Sequence, residues 1–247
     1  MQNRCMRLAA VVLAMVVCSS LAAAQTAGRN LNGVWARTTR VLTMSEETPA
    51  FAPWGQERFD AARPGYGPRA VPPGVGNDPM GTCDPLGMPR NLFLEVSIYP
   101  MEFLETPDRV LQFFEWAHVW REIWTDGREL PENPFPRWMG YSVGRWEGDT
   151  FIVDSIGFDE RTWLDHFGNP VSDDMRLEER YRRVDEETLE LVITINAPKA
   201  YRTPWVSETK VMRMAPEGRE IEELFCVPTE EQAFNRGIRD PAAGIVP

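Results

Sequence analysis

Residues 140–156 read GYSVGRWEGDTFIVDSI. Two runs rich in aromatic and β-branched residues, Gly140–Trp146 and Thr150–Ile156, flank the turn Glu147-Gly148-Asp149, which is a β-hairpin signal. The pattern repeats on both sides. Downstream, Met175–Val184 and Thr188–Asn196 flank Asp185-Glu186-Glu187, and Val206–Met214 and Arg219–Cys226 flank Pro216-Glu217-Gly218. Upstream, Glu102–Thr106, Arg109–Trp116 and Val119–Thr125 are parted by Pro107-Asp108 and Ala117-His118 and closed by Asp126-Gly127, a strong turn pair. Asn30–Thr39 supplies a first strand with Trp35 packed inside. Mostly short connections between the nine strands from Glu102 onward favour antiparallel pairing. The expected fold is mainly β, an antiparallel meander closing into a barrel. A twisted open sheet wrapped by loops is the alternative.

Two helices punctuate this pattern. Pro53–Ala62 reads as a short helix, with Pro53 suited to its first turn and Arg63-Pro64-Gly65 ending it. At the other end Thr229 and Gln232 form a capping box, which predicts a helix from Glu230 to about Arg236, stopped by Gly237. Between the first helix and the strands lies a segment without periodicity. From Arg63 to Pro89, 13 of 27 residues are Gly or Pro. Loops this long are uncommon within a compact domain and are usually functional or mobile.

The chain has 247 residues, with 26 basic against 37 acidic side chains and a net charge of -11. That balance argues against nucleic acid, which needs a positive footprint, and against a polybasic membrane surface. Residues 1–24 read as a secretory signal peptide: Arg4 and Arg7, then the apolar run Leu8–Val17, then the small residues Ala22-Ala23-Ala24. No later stretch is long and apolar enough to span a bilayer. The expected mature protein is a single domain over 25–247, exported to the periplasm or secreted. Cys5 and Cys18 leave with the signal, and Cys83 and Cys226 remain. An even pair in an oxidising compartment suggests one disulfide, with two buried thiols as the alternative.

The strings IWTDGRELP (123–131), GYSVGRWEGDTFIVDS (140–155), GFDERTWLD (157–165), LEERYRRVD (177–185) and PKAYRTPW (198–205) resemble those of a large, uncharacterised family of exported bacterial proteins. The resemblance extends from about Leu31 to Cys226 and implies kinship without a named activity. Members of that family often carry a His before the Ser of the GNPVS segment, where this chain has Val171. Gly33 and Trp35, as a Gly-x-Trp on the first strand, also resemble the opening of lipocalin-like barrels.

Alternate residues of a strand share a face, so polar residues that share a face with apolar ones are candidates for a site. Glu179 aligns with Met175, Leu177 and Tyr181, whereas Arg176, Glu178, Arg180 and Arg182 form a solvated face. A carboxylate in such surroundings serves as a general acid or base, or else pairs internally with an arginine. Asp154 aligns with Ile152 and Ile156 and reads as a second inward acid. Arg121, aligned with Val119 and Ile123, is the natural partner of either, or a ligand-carboxylate clamp. His166, beside Asp165, is a candidate proton shuttle. The other histidine, His118, reads as an exposed turn residue. Trp120, Trp124, Trp146 and Trp163, together with Tyr141, offer either core packing or an aromatic wall for a flat apolar or sugar-like ligand.

The sequence has no HExxH, and its two histidines cannot build a three-histidine zinc site. It has no dinucleotide-binding, Walker A or GxSxG string. The expectation is therefore an exported enzyme needing no cofactor or metal. It would use Asp154, Glu179, His166 and Tyr181 for isomerisation, elimination or hydrolysis of a small, partly apolar molecule in a barrel cavity. Arg121, Tyr141, the four tryptophans and Asp165 would hold that molecule. The alternative is a non-catalytic periplasmic binder of small molecules, and a third reading is a structural protein of the envelope.

Overall fold

The computed structural model describes residues 29–38, 42–93 and 99–245. The proposed signal segment lies outside the described residues. The 140–156 hairpin forms as its turn dictates. Strands β5 (Tyr141–Glu147) and β6 (Thr150–Ile156) pair antiparallel from Tyr141↔Ile156 to Glu147↔Thr150. Gly148 takes φ 64°, a conformation that costs glycine little. Gly144 is needed for a different reason. A Cβ there would lie 2.5 Å from the Phe151 ring and 2.7 Å from Ile123, so its absence lets those two side chains fill the interior.

From this hairpin the sheet grows both ways. On one side lie β7 (Arg176–Arg183) and β8 (Thr188–Asn196). On the other lie β4 (Val119–Trp124), β3 (Arg109–Phe114), β2 (Met101–Glu105) and β1 (Gly33–Arg37). The last long strand, β10 (Lys210–Met214), pairs with β1 at Trp35↔Met214 and with β8 at Met212↔Leu189. These two pairings close a nine-stranded barrel. Closure removes the sheet edges that would otherwise offer unpaired backbone groups.

Two details differ from the expected meander. The β4–β5 pair is parallel and joins only Ile123↔Ser142 and Trp124↔Val143. The connection between them carries Pro131, Pro134 and Pro136, which cannot donate to a ladder, so the chain crosses over instead of turning back. The expected strand Val206–Met214 is split. Its first part, β9 (Trp205–Val206), pairs with the far end of β8, and Ser207 breaks the run. The Ser207 hydroxyl accepts the Ile193 N–H at 2.9 Å, and the Ser207 N–H donates to the Ile193 carbonyl at 2.8 Å.

Residues 219–226, expected as a strand, form none. Their groups turn instead to the buried Glu115 carboxylate, which accepts from Arg219 Nη2 at 2.6 Å and from the Glu222 N–H at 3.0 Å. Helix α1 (Pro53–Ala61) is where the sequence places it. The C-terminal helix α2 (Pro228–Phe234) begins earlier than expected, without the Thr229 cap. It passes through a π-helical turn, Asn235–Arg239, so Gly237 does not stop it, and it ends in the short α3 (Asp240–Ala242). Among the described residues no helix is long and apolar enough to cross a membrane.

The Pro/Gly segment packs outside the barrel with short 3-10 turns at 73–75 and 79–82, and a third follows it at 90–93. Cys83 is bonded to Cys226, with Cα atoms 5.5 Å apart across 143 residues. The bond fastens this segment to the chain leading into α2. In the chain-entropy account a loop of that length contributes about 5 kcal/mol. Replacing both cysteines with serine is therefore expected to lower the urea midpoint, with a loss of several kcal/mol in unfolding free energy. A midpoint unchanged from the wild type would show that the bond carries none.

Candidate functional site

The barrel lumen contains one polar network. Glu179 on β7 points inward, as its strand pattern requires, and is fully buried. Arg121 reaches across from β4 and grips it with both nitrogens, Nη1 to Oε1 at 2.8 Å and Nη2 to Oε2 at 2.6 Å. The Tyr181 hydroxyl donates to Oε2 at 2.5 Å. Arg121 Nε donates to Gln112 Oε1 at 2.7 Å, and Gln112 Nε2 meets the Met101 sulfur at 3.0 Å. Burial, and then the neighbouring Glu179 charge, push the Tyr181 phenol well above its ordinary value. Phe103 stacks edge-on against Tyr181 with centroids 5.2 Å apart, and Phe151, Val153 and Ile123 complete the wall.

Every polar group of this network is committed to another. None of the main hollows around the described residues is lined by Glu179 or Tyr181. The carboxylate expected as a free acid or base is thus one half of a buried ion pair, the structural alternative open at the sequence level. Asp154 departs from expectation more directly. On β6 it is Phe151, Val153 and Ser155 that face the lumen, in register with Tyr181, Glu179 and Leu177. Asp154 therefore faces outward, half-exposed, and pairs with Arg145. Its strand is apolar on both faces, with Ile152 fully buried, so alternation alone did not reveal which face was inner.

The tryptophans scatter rather than forming one wall. Trp146 packs on Phe151 at 5.2 Å. Trp124 lies between two guanidinium groups, Arg109 at 3.8 Å and Arg128 at 3.6 Å from its ring centre. Trp120, Trp124 and Tyr141 share with Arg121 an open cleft of about 290 Å³ at the β4–β5 seam. Trp163 lies elsewhere, in the outer layer. His118 is exposed beside Phe225, as expected. Val171 is buried in the core.

The outer layer holds a second buried cluster. Arg90 is fully buried, and its guanidinium grips Asp78 through Nη1–Oδ1 at 2.8 Å and Nη2–Oδ2 at 2.6 Å. Asp78 also caps the 79–82 turn by accepting the Met80 N–H at 3.0 Å. Arg90 Nη2 lies 3.3 Å from His166 Nδ1. A guanidinium only donates, so a hydrogen bond in this contact requires Nδ1 to accept, which an imidazole with its proton on Nε2 can do. Arg90 also lies over the Trp163 ring at 5.5 Å, and Tyr66 meets His166 edge-on at 5.7 Å.

The loop that presents His166 is stapled by its neighbour. The buried Asp165 carboxylate accepts from the Phe167 N–H at 2.9 Å and from Asn169 Nδ2 at 2.7 Å. Burial raises the Asp165 carboxyl above its ordinary value despite these bonds. Asp165 thus shapes the turn by holding the Phe167 and Asn169 backbone and the Asn169 side chain. The His166 N–H donates to the Leu42 carbonyl at 3.0 Å.

Beside this cluster a hollow of about 320 Å³ opens between the Pro/Gly segment and the C-terminal helix. Tyr66, Asp78 and Met80 form one wall, and Glu231, Phe234 and Arg239 the other. Asn235 Nδ2 donates to the Gly81 carbonyl at 3.0 Å and holds the walls together. A second hollow, of about 300 Å³, has Trp163 in its lining. Sequence reasoning singled out His166, Asp165 and Trp163, but missed Arg90, Asp78 and Tyr66. The one available signal was an arginine within the apolar run Leu86–Leu92. Among the described residues, no group of three or more His, Cys, Asp or Glu side chains is placed to hold a metal ion.

No family model, no curated protein and no solved structure matches this chain.

Two measurements test the lumen network. Glu179→Leu alone strands the Arg121 charge and is expected to cost about 3–5 kcal/mol in denaturant unfolding, most of it recovered in the Arg121→Met/Glu179→Leu double variant. Equal stability of the single variant and the wild type would mean that the pair is not supporting the barrel. The second concerns pH. With the folded Tyr181 phenol raised above 10.0, the unfolded chain releases a proton that the folded chain keeps, so stability falls as pH rises beyond about 10. That fall should be shallower in Tyr181→Phe; identical slopes would exclude Tyr181 as its source.

Proposed function

We propose that the protein is an exported, non-catalytic small-molecule binder whose ligand occupies the hollow beneath the C-terminal helix. The supporting observation is the Asp78–Arg90–His166 cluster at its side. This is a pre-formed, charge-balanced arrangement of buried polar groups that reaches the hollow through Asp78 and Tyr66. At about 320 Å³ the hollow is at the small end of ligand sites. Tyr66, Met80 and Phe234 offer apolar surface, while Asp78, Glu231 and Arg239 supply polar contacts. The ligand class is a small, partly apolar molecule with a polar end.

The acid/base enzyme expected from the sequence has less support. Glu179 and Tyr181 are committed to Arg121 inside a packed lumen, and Asp154 lies on the outer wall. Of the four proposed catalytic residues, Asp154 lines an open hollow of about 440 Å³ on the outer wall but is paired with Arg145, and His166 stands beside the Asp78–Arg90 fork, its Nδ1 3.3 Å from Arg90.

Native mass spectrometry of the exported protein from its host identifies a retained molecule, and a thermal-shift titration then measures its effect. At a ligand concentration a hundredfold above Kd the stabilisation should be about 2.7 kcal/mol. Tyr66→Ala and Phe234→Ala should each weaken binding by about tenfold or more, whereas Asp154→Asn should leave it unchanged. A retained molecule whose binding ignores both wall substitutions would sink the assignment, and turnover of that molecule would restore the enzymatic reading.

A further inference from the structure

The β4–β5 seam is the least paired joint of the barrel. Beyond Ile123↔Ser142 the two segments part, as β4 runs back through Glu122 to Trp120 and the incoming chain arrives from Arg137 through Gly140. The cleft between them holds about 290 Å³, and rings and charges alternate around it. Trp120, Glu122 and Trp124 come from β4, and Arg137, Trp138 and Tyr141 from the facing segment.

The rings are held in place from the side. Arg109 and Arg128 occupy the two faces of Trp124, and Arg161 lies over Trp138 at 4.6 Å. Such contacts orient an indole by charge–quadrupole attraction. Arg109 also donates to Glu122 Oε1 at 2.6 Å, which fixes that carboxylate at the rim. Trp120, by contrast, is 51% exposed. It is a large ring standing on the barrel's outer wall among oriented polar partners.

A purely apolar ligand would make no use of the carboxylate and guanidinium groups on this rim. A pyranose ring would. One face of an equatorially substituted sugar is a patch of C–H bonds that lies flat on an indole. Its edge carries neighbouring hydroxyls that a planar carboxylate or guanidinium binds two at a time. Equatorial β-1,4 links also keep successive rings nearly flat, as an open cleft on a barrel wall requires, whereas α-1,4 links bend the chain. We propose that the β4–β5 cleft is a saccharide-binding subsite for a β-1,4-linked glycan. Trp120 is its stacking platform, and Glu122 and Arg137 are its hydroxyl partners. The subsite is separate from the hollow beneath the C-terminal helix and does not depend on that reading.

The test is titration of the intact protein with cellohexaose and with chitohexaose, followed by tryptophan emission, with maltohexaose as the bent control. The expected result is saturable binding of a β-1,4 hexaose with Kd at or below about 1 mM. It should weaken by about tenfold in Trp120→Ala and recover in part in Trp120→Tyr. Glu122→Gln should also weaken it, and Phe234→Ala should leave it unchanged. Trp120 is on the outer wall, so its removal should leave the circular dichroism spectrum intact. Three results would each overturn the proposal: no binding of either β-1,4 hexaose at about 10 mM, binding indifferent to Trp120→Ala, or maltohexaose binding equally well. Displacement of a bound β-1,4 hexaose by a planar aromatic dye competing at Trp120 would leave the saccharide assignment standing; a dye that binds there while neither hexaose does would replace it.

Discussion

The bidentate pair of Arg121 and Glu179 crosses the lumen from β4 to β7 and sets what the rest of the barrel must do. Desolvating two charges is expensive, and their attraction repays it only with good geometry and every remaining group satisfied. Gln112, Tyr181 and the sulfur of Met101 supply that satisfaction. The pair also spans the weakest joint of the wall. Where β4 and β5 share only two register positions, β4 is anchored by a charged grip on β7, three strands along the sheet. Gly144 then leaves room for Phe151 and Ile123 to close over the network.

The outer layer repeats this chemistry for a different purpose. A segment rich in proline and glycine has few ladder hydrogen bonds and must be ordered by other means. Arg90 and Asp78 provide one means, a second buried fork linking the 79–82 turn to the 90–93 turn. The loop carrying His166 is pinned to this fork and to Leu42. The lumen network is enclosed by barrel walls. The outer one has a hollow at its side, reached through Asp78 and Tyr66.

How much of this was legible depended on whether local rules governed the residue. The β5–β6 and β7–β8 hairpins were, because turn chemistry and alternation agree there. Glu179 could be placed inward because Arg176, Glu178, Arg180 and Arg182 leave no doubt about the wet face, and Arg121 followed as the partner on offer. Asp154 falls on the other side from the one alternation suggests because β6 is apolar on both faces and its sequence has no wet face to set its phase. The run 219–226 looked like a strand, but its backbone was claimed by Glu115, a residue more than a hundred positions away. Arg90 and Asp78 carried no periodic signal, since both lie where the chain has no regular element. Their pairing exists only in three dimensions. The β4–β5 cleft is similar: Trp120, Trp124 and Tyr141 read as ligand contacts in the sequence, but the parallel seam that gathers them has no local signal.

The bond between Cys83 and Cys226 makes the barrel strands β2 to β10 part of one covalent ring. A protease that severs a single peptide bond inside that ring yields two fragments still on the same molecule. Such a nicked form would run as an uncut chain by mass until a reductant separated it. A break in an exposed loop inside the ring, such as the proline-rich crossover before β5, leaves β4 and β5 on separate fragments that remain tethered through Cys83 and Cys226.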